Sequence, residues 1–376
     1  MSDNQPDLRI PSDQFALVQR QVGEMGALVY ADPEWLHPNY TEPQVLYPLR
    51  DLIKPGQTAF DVGANFGHLS VAMSRRAGPR GAVCAFEANP AIVKRCQAEL
   101  VRSGCGNAQV ISAAIYSASR RRLQLYLSDN MVADSVSRKV SERSIEVRTL
   151  ALDDFVEDTG LVPDLVKMDI EGAEFDALCG FTRTIAKHGP ILILEQQPDD
   201  DRCFRLLREH GYSALDLRSY EPVESFAELP EGVALLDLLY ARKGQLAGTP
   251  YAGPIAKAVE ADFSSKAFAW TSELTCETPE PIGLRVGRYI VDVDFTAETD
   301  AELKCGVAMG GVPIMQYHGR ADWLSHLARS WVVAVEIEGP ASLFFHFPQQ
   351  RDPAFLVSRA VIHRLPGFDD RAPLFT

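Results

Sequence analysis

The sequence predicts an α/β unit built on a mostly parallel sheet, followed by an all-β unit. Three observations predict it. Short apolar runs alternate with helix-patterned stretches from residue 57 to about residue 242. A Gly- and Pro-rich stretch, 243–254 (KGQLAGTPYAGP), then interrupts the pattern. Beyond it the apolar period becomes that of strands, with turn residues between the runs.

The elements follow in order. Residues 12–30 are predicted to hold a helix, with Ser12 or Asp13 as N-cap and Phe15, Leu17 and Val18 on its apolar face. Pro33, Pro38, Pro43 and Pro48 make the next stretch irregular, and 43–52 (PQVLYPLRDL) reads as a short helix broken near Pro48. Residues 58–62 form a strand that ends at Asp61-Val62-Gly63. In 68–77, Leu69, Ala72, Met73 and Ala77 make a helical stripe. Residues 82–86 are a second strand, and Asn89-Pro90 opens a helix that buries Val93, Cys96 and Leu100 and stops by Gly104. A third strand is predicted at 109–114, and 121–150 hold two or three short strands, LQLYL and IEVRTL among them. Residues 165–169 are a further strand, 172–179 a helix, 191–195 (ILILE) a strand and 199–211 a helix. Two strands near 214–217 and 235–242 complete the unit. In the all-β unit, strands are expected at 288–295, 302–309, 331–336, 341–347 and 357–363, in a sandwich-like arrangement. The predicted organisation is a cap at 1–50, the α/β unit at 51–243 and the all-β unit at 255–376.

Composition narrows the function classes. The 376 residues carry 37 Lys+Arg against 51 Asp+Glu, a net charge of −14. An acidic surface repels phosphate backbones, so no nucleic-acid partner is expected. Arg120-Arg121-Arg122 reads as a solvated turn. The 7 cysteines are odd in number and show no C-x-x-C spacing, which argues against a disulfide framework or a structural zinc. Several lie in apolar runs, as buried reduced thiols do. The polar N-terminus (MSDNQPDLRI) lacks a signal-peptide pattern, and no apolar run is long enough to span a bilayer. A cytoplasmic location is expected.

The strongest local signal is FDVGANFG, at 60–67, between a strand and a helix. Its glycines, Gly63 and Gly67, let the backbone approach a ligand, and the helix N-terminus favours negative charge. A dinucleotide site would show G-x-G-x-x-G, which is absent and excludes a nicotinamide dehydrogenase. Instead Asp61 ends the strand, and an acid there suits a ligand ammonium. Glu87 follows Gly67 by 20 residues at the next strand end, where an acid accepts both hydroxyls of a ribose. A nucleoside with an amino-acid tail satisfies these demands: S-adenosylmethionine. Asn65 belongs to the same turn, and Asn89 opens the next helix. A second cluster, KMDIEGAE at 167–174, lies on the same sheet edge, with Asp169 directed to the crevice and Glu171 and Glu174 on the following turn. Acids at a helix start also complement the helix dipole, which is a sufficient account of Glu174. Glu195 is a further acid at the end of the next strand.

FDVGANFGHLS, FEANP, TLALDDF and KMDIEGAEFDALCG together resemble the FkbM family of S-adenosylmethionine-dependent methyltransferases, over residues 42–198. The resemblance implies a class I (Rossmann-like) fold, a seven-stranded sheet with the last strand antiparallel. It implies methyl transfer to a hydroxyl of a sugar, a glycan or a glycosylated or polyketide-like small molecule. At the third strand end no polar side chain stands out for the adenine, which leaves Ser112 or backbone groups. Asp169 is the first candidate for a general base or a group orienting the sulfonium, and Glu171 the second. His68 and His37 are further candidates, and His68 alternatively meets the methionine carboxylate. Asp169, Glu171 and Glu195 could converge on a divalent metal, but the spacing does not favour one.

The all-β unit carries Trp270, Trp323, Trp331, Tyr289, Tyr317 and His318, which suit its core or a subunit interface, or else sugar stacking. Glycan binding or homo-oligomerisation is expected of it. The competing reading of the chain is an inert methyltransferase-like scaffold whose β-unit binds a glycan or protein. Acceptor recognition is expected from 35–42 and 130–142.

Overall fold

A computed structural model describes residues 42–128, 134–139, 141–229, 235–253, 255, 257–264, 268–270, 272–278, 281–285, 287–299, 301–309, 312–320, 330–335, 339–350, 352–366 and 368. The expected helix at 12–30, His37, Trp323 and most of the expected cap and acceptor segment 35–42 lie outside the described residues. The chain divides into two compact units, Val45–Pro254 and one that includes Ile255–Thr376.

The first unit begins with helix α1 (Pro43–Leu52), then β1 (Thr58–Val62), α2 (His68–Ala77), β2 (Ala82–Glu87), α3 (Pro90–Arg102) and β3 (Ala108–Ser112). Next come β4 (Ala114–Ile115), β5 (Arg122–Tyr126), β6 (Ser144–Leu150), α4 (Leu152–Thr159) and β7 (Leu165–Met168). It continues with α5 (Glu174–Cys179), α6 (Thr182–His188), β8 (Ile191–Gln196), α7 (Arg202–Glu209), β9 (Tyr212–Asp216), β10 (Pro222–Val223) and β11 (Leu236–Arg242). The main sheet has the order β10-β9-β11-β8-β7-β1-β2-β3. Strands β3, β2, β1, β7 and β8 are parallel, and β11 runs antiparallel between β8 and β9. This is the expected Rossmann-like sheet with its last strand reversed, extended by the two-residue β10. The central strands are buried along nearly their whole length, which is why they read as continuous apolar runs.

Four differences from expectation have local causes. Helix α1 passes through Pro48 without breaking, because Val45, Leu46, Tyr47, Leu49 and Leu52 are all buried and packing outweighs one lost hydrogen bond. The strand expected at 109–114 splits, since β4 leaves the main sheet to pair with β6 beside the β5–β6 hairpin. Helix α4 was not foreseen. It brings Phe155 edge-on to Phe60 at 5.5 Å and Phe86 at 5.0 Å in the main core. Helix α6 was not foreseen either. The buried Asp153 carboxylate of α4 accepts the backbone N–H groups of Arg183 (2.9 Å) and Thr184 (2.8 Å) at its start, so each short helix depends on the other.

The second unit contains β12 (Ala258–Ser264), β13 (Ala269–Trp270), β14 (Thr275–Glu277), β15 (Ile282–Leu284) and β16 (Gly287–Thr296). These are followed by β17 (Glu302–Met309), β18 (Val312–Arg320), β19 (Ser330–Val335), β20 (Gly339–His346) and β21 (Leu356–Arg364). They form antiparallel sheets ordered β12-β21-β16-β19 and β13-β14-β20-β17-β18, with β15 paired to β20. One apolar cluster draws on both, with Val291, Val293, Trp331 and Ile362 from one and Cys305, Val307, Leu343 and Phe345 from the other. Trp331 and Tyr289 are thus core residues, while Trp270 is 36% exposed and packs on Phe347 and Phe355. All seven cysteines are free, and Cys179 alone among them is exposed. No helix among the described residues is long and apolar enough to cross a membrane.

Candidate active site

The parallel register sets one level for the site. Val62 pairs with Phe86 and Met168, and Met168 with Leu194. The next residues, Gly63, Glu87, Asp169 and Glu195, therefore stand side by side at the carboxyl edge of the sheet, where open α/β sheets bind ligands.

Gly63 is dictated by two constraints. Its φ of 77° lies in the left-handed region, and a Cβ there would come 1.8 Å from the Asp169 carbonyl oxygen. The tight turn lets its N–H, and that of Ala64, donate to the Phe86 carbonyl at 3.0 Å. Asn65 is also left-handed, with φ 49°. Its N–H donates to Glu87 Oε2 at 3.0 Å, while its buried Oδ1 has no partner among the described residues. Gly67, at φ 87°, caps α2, and a Cβ would meet Cys96 Sγ at 2.8 Å.

Glu87 is buried at the end of β2, with Oε1 accepting from the Asn89 N–H at 2.7 Å. Burial pushes its pKa up to about 7 against the lowering effect of these amides, and Asp134 adds to the rise. Asn89 caps α3 by accepting from the Ala91 N–H at 2.9 Å, and its Nδ2 donates to Asp134 at 2.8 Å. Ser112 is in register with Glu87 and exposed at the end of β3.

Asp61 departs from the expectation. It is wholly buried, accepts from Ser70 Oγ at 2.5 Å and lies 3.9 Å from Lys167 Nζ. Burial raises its pKa, against Lys167 and Ser70. An internal cation thus takes the place of the ligand ammonium that the sequence suggested for it. Lys167, missed as a site residue, also approaches Asp169 Oδ2 and the Gly63 carbonyl, each at 3.4 Å. The available signal was a lysine inside the apolar strand LVKM, since a buried lysine needs partners. His68 lies next to the glycine turn. It begins α2, burial lowers its pKa, and the charges that act on it are Glu99 and Arg102 of α3.

Asp169 is partly exposed, and its carboxylate comes within 4.8 Å of that of Glu195. Glu171 does not join them. With φ 56° it turns its carboxylate to Arg138 Nη2 at 2.8 Å. Burial and then Asp169 raise its pKa to about 7, against Arg138. The expected three-acid convergence on a metal thus lacks Glu171. Glu174 accepts from the Ile170 (2.8 Å) and Gly172 (3.3 Å) N–H groups and so braces the loop that carries Asp169 and Glu171. Asp134, Ser135 and Arg138 belong to the segment 130–142 expected to recognise the acceptor, but their individual partners Asn89 and Glu171 come only with tertiary folding.

The residues present fit an adenosyl ligand: a tight left-handed turn at Gly63 without a side chain, an orphaned buried acceptor on Asn65 and a carboxyl at the ribose position. Residues 61–214 match the Methyltransferase FkbM domain family. A solved methyltransferase FkbM from Methylobacillus flagellatus KT is 17% identical, with TM-score 0.34, over 61% of this chain and 58% of that one. A precorrin-6y C5,15-methyltransferase from Geobacter metallireducens GS-15 is 15% identical, with TM-score 0.34, over 54% of this chain and 88% of that one. Fibrillarin from Aeropyrum pernix, with natively bound S-adenosyl-L-methionine, is 12% identical, with TM-score 0.31, over 50% of this chain and 68% of that one. No curated protein matches the chain.

Proposed function

We propose that this chain, whose residues 61–214 form an FkbM methyltransferase domain, O-methylates a sugar, a glycan or a glycosylated or polyketide-like small molecule with S-adenosylmethionine. The observation that carries this reading is the alignment of Gly63, Glu87 and Asp169 at one level of the sheet edge. The turn admits the ligand backbone-close, Glu87 accepts the ribose hydroxyls, Asn65 Oδ1 takes a donor, and Ser112 stands beside the adenine position. When bound, S-adenosylmethionine supplies an electrophilic methyl on a positively charged sulfur. The chain's own contribution is alignment, worth up to about 7 kcal/mol or more, and removal of the acceptor proton, worth roughly 10²–10⁴-fold. Asp169, partly exposed at the sheet edge, takes the acceptor proton or orients the sulfonium. Glu171, with its pKa near neutrality, suits the same proton at physiological pH. The Asp169–Glu195 carboxylates accept hydroxyl donors, which favours a polyol acceptor.

A cytoplasmic location and a glycan-binding or self-associating role for the β-unit complete the proposal. Calorimetric titration with S-adenosylmethionine tests the donor. Turnover across nucleotide sugars, free glycans and polyketide alcohols tests the acceptor. Donor binding with no methyl transfer to any hydroxyl in the panel would overturn the acceptor class.

A further inference from the structure

The β5–β6 connection reaches the site at two places. Asp134 Oδ2 accepts from Asn89 Nδ2 at 2.8 Å, just past the end of β2. At the very next residue Ser135 Oγ donates to the Glu171 carbonyl at 2.8 Å, and three residues further Arg138 Nη2 donates to the Glu171 carboxylate at 2.8 Å, just past the end of β7. Strand β1 lies between β2 and β7. The pair Asp134-Ser135 therefore links the loop after β2 to the loop after β7, the two neighbours of β1, and Ser137 and Arg138 close on Gly172.

The run is built for this position. Ser135 is fully buried, exchanges both backbone hydrogen bonds with Tyr126 (2.9 and 3.0 Å) and accepts from the Ser137 (3.1 Å) and Arg138 (3.0 Å) N–H groups. Asp134 Oδ1 accepts from the Ser128 N–H at 2.7 Å, so its grip on Asn89 is itself fixed. The contacts differ in strength. The Asp134–Asn89 and Ser135–Glu171 bonds are part-buried, whereas the Arg138 side chain is 49% exposed and its ion pair is screened by salt.

We infer that Asp134, Ser135 and Arg138 are positioning residues, the run 134–138 forming a crossbar that retains the nucleoside end of the donor and holds Glu171 on the acceptor side. The inference rests on the reading that this crevice takes S-adenosylmethionine. Product release then requires the anchors to loosen, and the exposed Arg138–Glu171 ion pair opens before the Ser135 and Asp134 bonds.

S-adenosylhomocysteine is the probe, with affinity read by calorimetry and release by stopped-flow chase on the full chain. Asp134→Ala is expected to speed release about tenfold and Arg138→Met at least about threefold. Arg138→Lys, which keeps a cation for Glu171, is expected to recover most of the wild-type rate. Release from the wild type is expected to quicken with ionic strength. Wild-type release in both Asp134→Ala and Arg138→Met would overturn the crossbar. Should Asp134→Ala not fold, Arg138→Met decides alone, since that side chain is half in solvent and its melting midpoint is expected to be unchanged. If the wild type fails to bind S-adenosylhomocysteine, the donor assignment falls and the crossbar with it. Binding with unchanged release removes the crossbar only.

Discussion

Glu87 and Glu171 show how burial sets the chemistry of single residues at the sheet edge. Both carboxyls have pKa values raised to about 7, so the folded chain holds their protons more tightly than the unfolded chain does. Stability from these groups is therefore greatest below the ordinary carboxylate range and is lost as pH rises towards 7. For Glu87 the loss is on the order of 3 kcal/mol, and the decline in melting temperature from pH 5 to 7.5 should flatten in Glu171→Gln. Ribose hydroxyls donate best to the ionised form, so S-adenosylhomocysteine affinity should rise between pH 6 and 8 in the wild type. In Glu87→Gln that rise should vanish and the affinity fall about tenfold, which calorimetry at several pH values reads. Asp169→Asn should bind the donor normally yet lose turnover by about 10²-fold or more, and unimpaired turnover would remove Asp169 from proton transfer. Gly63→Ala places a Cβ against the Asp169 carbonyl in a left-handed turn, and should lose about 3 kcal/mol or more in urea unfolding.

At the scale of elements, short segments are held by side chains from elsewhere rather than by their own propensity. Helices α4 and α6 are each under three turns, and the Asp153 carboxylate, buried against Thr184, joins them. The loop after β7 keeps its shape because Glu174 reaches back to two of its N–H groups. Helix α3 has a cap that also serves the site. Asn89→Ala removes the Ala91 bond and the Asp134 anchor together, and should lower stability by about 1 kcal/mol while accelerating release of S-adenosylhomocysteine. Thermal melts and the release assay read the two effects separately.

At the scale of the whole molecule, each unit has its own apolar cluster, centred on Phe60, Phe86 and Leu192 in one and on Trp331, Phe345 and Ile362 in the other. Every site residue named above lies in Val45–Pro254. A chain ending at residue 254 should therefore keep wild-type affinity for S-adenosylhomocysteine, while its mass by light scattering and its affinity for a glycan acceptor report what the β-unit does. Loss of donor binding in that shortened chain would tie the two units together functionally. The parallel sheet, the glycine turn and the strand-end acids Glu87 and Asp169 are legible before folding, because apolar period, cap residues and strand-end positions are local signals. The partners emerge with folding: Lys167 for Asp61, Arg138 for Glu171 and Asp134 for Asn89. Those pairings join residues distant in the chain, and their energies come from burial and charge neutralisation, which exist only once the chain has folded.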